Sequence, residues 1–263
     1  MPTTGRGGAQ IHYEDHGHGK DVVLLLHAFP LNAGMWAGQV GALTPRYRVV
    51  APDYPGFGKS PSRAEPTTME SLAEDVLAIL DHLHVERAAV VGLSIGGYLA
   101  FEVYRRRPGL FRALALCDTR AGADTPEAAA GREAFALKAV EKGLGWVATE
   151  LLGKLLRPRP SPAAVDTVRR LVSQGTPAGV AGAQRGMARR PDSTPTLGLI
   201  SCPTLVVVGV EDTLTPPAES RSIAAAVPGA RLVEIQAAGH LSNIENPDAF
   251  NRALLDFLDN LPP

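Results

Sequence analysis

The chain alternates short apolar runs with longer segments in which apolar positions recur every three to four residues. The runs Val22-Val23-Leu24-Leu25-Leu26, Arg48-Val49-Val50-Ala51, Ala88-Ala89-Val90-Val91, Ala113-Leu114-Ala115-Leu116, Leu205-Val206-Val207-Val208 and Leu232-Val233-Glu234-Ile235 read as strands. Most lack a polar alternate face, as strands covered on both sides do. Helical periodicity fills the intervals at 33–43, 67–83, 95–107, 217–227 and 247–260. Gln10 to Asp15 alternates and predicts an antiparallel edge strand at the start. Alternating β and α elements predict an α/β fold, a mainly parallel, doubly wound sheet with helices on both faces.

One interval breaks the rhythm. Between Asp118 and Cys202 no strand pattern occurs, only Ala-, Leu- and Arg-rich stretches with helical spacing near 126–141, 144–156, 162–173 and 178–189. Roughly 75 residues are too many for an ordinary connection between strands. Trp146, Leu151, Leu152, Leu155 and Leu156 give the stretch an amphipathic face. Residues 120–195 are therefore expected to form a helical cap over the strand ends, with 1–119 and 196–263 forming the core domain.

The strand ending at Val91 runs into Gly92-Leu93-Ser94-Ile95-Gly96 and then into a segment whose apolar residues suit a helix, closed by Pro108. Alone, this pentapeptide also describes an ordinary turn. Between a buried strand and a helix it describes a nucleophile elbow, in which Ser94 stands exposed at a tight turn and flanking glycines avoid a backbone collision. A serine hydroxyl is a weak nucleophile and needs a base, which in turn needs an orienting group. Two downstream strand ends offer them: Gly209-Val210-Glu211-Asp212 and Gly239-His240.

Composition narrows the picture by exclusion. Charged residues make up 20% of the chain and the formal net charge is −1, so no electrostatic field favours nucleic acid or an anionic membrane. The start, Met1 to Gly8, lacks the apolar stretch of a signal peptide, and no run approaches a membrane span. The two cysteines, Cys117 and Cys202, have no metal-like spacing and read as free thiols, which fits a cytoplasmic location. No motif calls for a metal or an organic cofactor. A monomer and a homodimer are both left open.

Six motifs stand in a fixed order: His27-Ala28-Phe29-Pro30, Asp53-Tyr54-Pro55-Gly56-Phe57-Gly58-Lys59-Ser60, the elbow at Ser94, Gly209-x-x-Asp212, Gly239-His240, and a helix start near Asn246-Pro247. In these, over nearly its whole length, the chain resembles the α/β-hydrolase superfamily, and within it the small carboxylesterases, enol-lactonases and cofactor-free peroxidase-like enzymes. About eight strands are expected, with the cap inserted after the sixth. The resemblance implies Ser94 as nucleophile, His240 as general base and then acid, and Asp212 as the group that holds the His240 tautomer. Asp118, also at a strand end, is the alternative acid. The oxyanion donors are expected to be the backbone amides of Ile95, at a helix N-terminus, and Phe29. His27 is expected to brace the oxyanion loop and Asp53 to stabilise a turn. The chain departs from the usual His-Gly pattern by carrying Ala28, which restricts the turn if a positive φ is needed there.

The expected reaction is hydrolysis of a carboxylic ester or lactone through an acyl-enzyme. Leu31, Trp36, Trp146 and Met187 are the expected substrate-binding residues, with Met35, Leu151 and Leu155 nearby, which suggests a small and mostly apolar substrate. Arg185, Arg189 or Arg190 would bind a carboxylate if the substrate were the carboxylated lactone of an enol-lactonase. Other readings are a carbon–carbon bond hydrolase or perhydrolase on the same three residues, and a ligand receptor built on the same fold.

Overall fold

A computed structural model describes residues 3–4, 10–63 and 67–262. Apart from Thr3 and Thr4, the polar N-terminal stretch lies outside the described residues. In chain order the strands are β1 (Thr3–Thr4), β2 (Gln10–Ile11), β3 (Tyr13–His16), β4 (Val22–Leu26), β5 (Arg48–Pro52), β6 (Ala88–Leu93), β7 (Phe111–Cys117), β8 (Thr204–Gly209) and β9 (Arg231–Ile235). The helices are α1 (Ala37–Leu43), α2 (Met69–His82), α3 (Ile95–Arg106), α4 (Pro126–Leu155), α5 (Pro162–Ser173), α6 (Pro177–Ala188), α7 (Thr194–Leu197), α8 (Pro217–Ala226), α9 (Ser242–Glu245) and α10 (Pro247–Asp259).

The main sheet has the order β3-β5-β4-β6-β7-β8-β9, antiparallel at β3 and parallel elsewhere. Among the described residues it contains seven strands, the edge strand and the six apolar runs, where the resemblance implied about eight. Gln10–Ile11 pairs with Thr3–Thr4 in a separate ribbon, and only Tyr13–His16 joins the sheet. The long insertion accordingly follows the fifth strand of the sheet, not the sixth.

Side-chain burial explains the apolar runs. Every residue of Val22–Leu26, Ala88–Leu93 and Thr204–Gly209 is buried. Each large side chain so placed contributes about 1.5–3 kcal/mol from apolar area removed from water. From β4 the chain moves to β5 on one side and then, through α2, to β6 on the other. Right-handed crossovers in opposite directions put α1 and α2 on opposite faces of the sheet. Helix α10 packs back on α1, and α3 on α2, so both faces are covered. The reversal lies at β4, and open α/β sheets form their crevice beyond the carboxyl ends of strands flanking such a point.

Helices α4 to α7 fill the interval between β7 and β8. Helix α4 joins two expected helices across a break at Gly143, whose φ of 73° and ψ of −178° only glycine adopts readily. Thr125, Ser161 and Thr176 each accept an amide of the following first turn, and a proline follows each cap. Among the described residues, no helix is long and apolar enough to cross a membrane.

Candidate active site

Ser94 follows directly on β6 and precedes α3. Its φ of 59° and ψ of −115° lie outside the regions a side-chain-bearing residue prefers, which costs about 1–3 kcal/mol. The surrounding turn enforces the conformation. The Ser94 amide donates to the Cys117 carbonyl at 2.9 Å, and its carbonyl accepts the Gly97 amide at 2.9 Å and Thr119 Oγ1 at 2.8 Å. A Cβ at Gly92 would strike the Gly96 carbonyl, and one at Gly96 the Leu26 carbonyl. Two glycines thus let the ends of β6 and β4 and the start of α3 approach one another, leaving Ser94 half-buried on the wall of a cavity of about 460 Å³.

His240 lines the same cavity, with Asp212 behind it. The chain reaches Asp212 just past β8, where a Cβ at Gly209 would strike the Gly239 carbonyl, so the two loops touch. Asp212 Oδ1 accepts the amides of Leu214 (2.8 Å) and Thr215 (3.0 Å). Its Oδ2 accepts Thr215 Oγ1 at 2.6 Å and His240 Nδ1 at 2.9 Å. Burial raises the cost of its charge, but His240 and these donors outweigh burial and hold the carboxyl below its ordinary range. A carboxylate acceptor assigns the proton to His240 Nδ1, which makes Nε2 the ring nitrogen able to accept one.

Both sides of His240 are anchored. Glu245 Oε2 accepts the Gly239 amide at 2.7 Å, and both Glu245 oxygens accept the Arg157 amide at 3.2 and 3.1 Å. The Leu241 amide donates to the Leu155 carbonyl at 3.1 Å. The end of α4 is therefore hydrogen-bonded to the loop that presents the imidazole.

Asp118 is fully buried; it accepts the Gly209 amide at 2.8 Å on Oδ1 and the Ser242 hydroxyl on Oδ2. Burial, then the charge of Asp212, pushes its carboxyl well up. This group ties loop ends together, whereas Asp212 is the carboxylate on the imidazole.

On the opposite loop, Ala28 does not take a positive φ, so the alanine costs nothing there. Phe29 borders the cavity, and neither its amide nor that of Ile95 has an acceptor among the described residues. Ile95 opens α3, where amides lack intrahelical acceptors. His27 lies beneath, fully buried and stacked on Tyr54 at 3.7 Å. Its Nδ1 donates to the Ala28 carbonyl at 2.9 Å and its Nε2 accepts the Tyr54 amide at 3.1 Å. Burial lowers its pKa to about 4, so it is a neutral brace. Asp53 accepts the amides of Ala33 (2.8 Å) and Lys59 (2.9 Å), joining the two loops.

The cavity walls correct several expectations. Met187, Leu151 and Leu155 do line the cavity, but Leu31, Trp36, Met35 and Trp146 do not. Leu31 is wholly buried, Trp36 packs on Phe250, and Met35 Sδ accepts the Ala28 amide at 3.1 Å. Trp146 lies against Phe135 at 4.9 Å, and Phe135 is the ring that reaches the cavity. Of the three candidate arginines, Arg185 on α6 is bidentate on Glu133, Arg189 just past the helix is exposed, and Arg190 pairs with Asp124 over the Tyr98 ring. Sequence reasoning missed Tyr98, Arg120, Asp124, Arg132 and Thr215. Tyr98 and Thr215 had a readable signal, since one lies a helical turn past Ser94 and the other three residues past Asp212. Among the described residues, no group of three or more His, Cys, Asp or Glu side chains is arranged to hold a metal ion.

A family model described as the alpha/beta hydrolase fold matches residues 21–247. The chain is similar to a thermophilic esterase from Thermogutta terrifontis, solved with malate bound: 37% identity, TM-score 0.95, covering 99% of this chain and 98% of the other. It is also similar to the enol-lactonase from Burkholderia xenovorans, at 31% identity and TM-score 0.91, with 99% and 100% covered. The pimeloyl-[acyl-carrier protein] methyl ester esterase of Chromobacterium violaceum is 32% identical over 253 residues, 94% of this chain and 97% of its own.

Proposed function

The chain belongs to the α/β-hydrolase fold family, and we propose that within it this protein is a serine hydrolase that cleaves carboxylic esters or lactones of small molecules. The observation that carries this reading is the Asp212–His240 pair, held at 2.9 Å and opening on the cavity that Ser94 also lines. Hydrolases acting on such bonds among its relatives support it.

In the proposed cycle Ser94 Oγ attacks the carbonyl carbon while His240 Nε2 takes the hydroxyl proton. Asp212 stabilises the resulting imidazolium and keeps the ring oriented. Negative charge moves onto the carbonyl oxygen, where the Phe29 and Ile95 amides receive it, each worth about 3 kcal/mol in the transition state. The C–O bond to the alcohol breaks, His240 returns the proton to the leaving oxygen, and an acyl ester remains on Ser94. Water repeats the sequence and frees the acid. In this reading residues 120–195 act as a cap that closes the site against bulk water, on a core of 1–119 and 196–263.

Steady-state hydrolysis of p-nitrophenyl esters from acetate to decanoate tests the proposal, with Ser94→Ala as control. Turnover by the parent protein should fall by about 10⁶-fold in the variant. Turnover that survives Ser94→Ala, or a folded protein inert toward every ester and lactone, overturns it.

A further inference from the structure

The cavity beside Ser94 carries more positive than negative charge. Arg120, Arg132 and Lys154 line it against a single acid, Asp124. Two of these cations have partners. Arg132 Nε pairs with Asp124 and its Nη1 donates to Gln184 Oε1 at 3.0 Å, while Lys154 stands 3.9 Å from Glu150. Asp124 is itself shared, since Arg190 approaches it at 2.7 Å.

Arg120 differs. It has no acidic partner among the described residues, and its Nε is buried without an acceptor. Its one hydrogen bond runs from Nη2 to the Leu214 carbonyl. That contact places the guanidinium close to the site: Leu214 is two residues past Asp212, and Thr119, its chain neighbour, bonds the Ser94 carbonyl. A guanidinium nitrogen withdrawn from water without an acceptor is costly, and the planar fork matches a carboxylate. We propose that Arg120 anchors a carboxylate of the substrate, so that the preferred ester or lactone is an anion. The proposal rests on the serine-hydrolase reading of the same cavity. It also revises the mostly apolar substrate expected from the sequence: the apolar wall of Phe29, Phe135, Leu151, Leu155 and Met187 takes the chain between the two polar ends.

Two measurements test it. First, glutarate binding to Ser94→Ala protein is followed by calorimetry, with and without Arg120→Gln; Arg120→Lys, which keeps the charge, covers the case in which Arg120→Gln does not fold. Second, kcat/KM is measured in a pH-stat for monoethyl glutarate and for ethyl valerate, its neutral analogue. The parent protein should bind glutarate and favour the anionic ester. Arg120→Gln should weaken glutarate binding and reduce the preference ratio, each by at least about tenfold. Arg120→Lys should retain part of both, and Arg185→Gln, on the Glu133 pair, should leave the ratio as it was. Absence of glutarate binding, an unchanged ratio in Arg120→Gln, or an equal loss on both esters overturns the anion site. Glutarate binding that depends on Arg120 in a protein that hydrolyses neither ester would instead retain the anion site and refute the hydrolase reading.

Discussion

Thr215 Oγ1 donates to Asp212 Oδ2 at 2.6 Å, the same oxygen that accepts His240 Nδ1. The hydroxyl also stands 3.2 Å from Nδ1 itself, so it fixes the carboxylate plane relative to the ring. Thr215→Val keeps the shape and removes the donor. Loss of a hydrogen bond to a charged group, about 1.5–3 kcal/mol, should lower kcat by about 10- to 100-fold. Thr215→Ser should restore most of the rate. A Val variant as fast as the parent would show that Asp212 needs no such support.

The two buried carboxyls should separate cleanly by mutation. Asp212→Asn should lower kcat by about 10⁴-fold, because the amide favours the wrong imidazole tautomer. Asp118→Asn should cost less than about tenfold, since an amide can accept from Gly209 and donate to Ser242. The reverse order of rates would transfer the acid role to Asp118.

Stability against pH gives a second reading of Asp118. Its folded pKa is raised, so the native state holds a proton that the unfolded chain has already lost. Stability therefore falls as pH rises from the ordinary carboxyl range through the folded value. Asp118→Asn removes this dependence and should gain stability relative to the parent between acidic and neutral pH. Urea midpoints at a series of pH values would show it.

His27 works in the opposite direction. Folded, it stays neutral down to about pH 4, whereas the unfolded imidazole takes a proton near 6.5. Its contribution is complete above 6.5 and is lost as pH falls toward 4, by about 3 kcal/mol at most. In His27→Gln the stability slope between pH 6.5 and 4 should flatten. A slope equal to the parent's would mean that the imidazole is not buried neutral.

Gly143 breaks α4 where a Cβ would meet nothing within 4 Å. The cost of Gly143→Ala should then be conformational alone, about 1–3 kcal/mol and a drop of several degrees in Tm. An unchanged Tm would mean that the helix straightens freely.

Sequence periodicity located most elements because burial on both faces leaves strands such as Val22–Leu26 without polar positions. It placed the helices of the insertion within a few residues, and the gap it left between 126–141 and 144–156 falls at the break at Gly143. The elbow, Asp212 and His240 were legible because strand ends and glycines constrain them locally. The walls were not. Trp146 sits behind Phe135 and Trp36 packs on Phe250 of α10, since size and apolarity do not say which way a side chain faces. Arg120 stands in no motif, whereas Arg185, Arg189 and Arg190 are the candidate carboxylate binders in the sequence, yet Glu133 and Asp124 occupy Arg185 and Arg190. Pairing across the fold decides which cation is available, and no local pattern records it.

The insertion leaves the sheet after β7 and returns at β8, and these strands are hydrogen-bonded neighbours, with Cys117 opposite Val207. Its ends are thus held together by the sheet, whatever lies between them. In evolutionary terms, α4 to α7 form an exchangeable module: the segment can lengthen, shorten or be replaced at little loop-closure cost, and strand pairing is unaffected. Its junction at Leu155 and Arg157 is bonded to the loop of His240, and α5 and the turn into α6 are bonded to the loops at Asn32 and Gly56. Selection for a new substrate would find its freedom in the first half of α4.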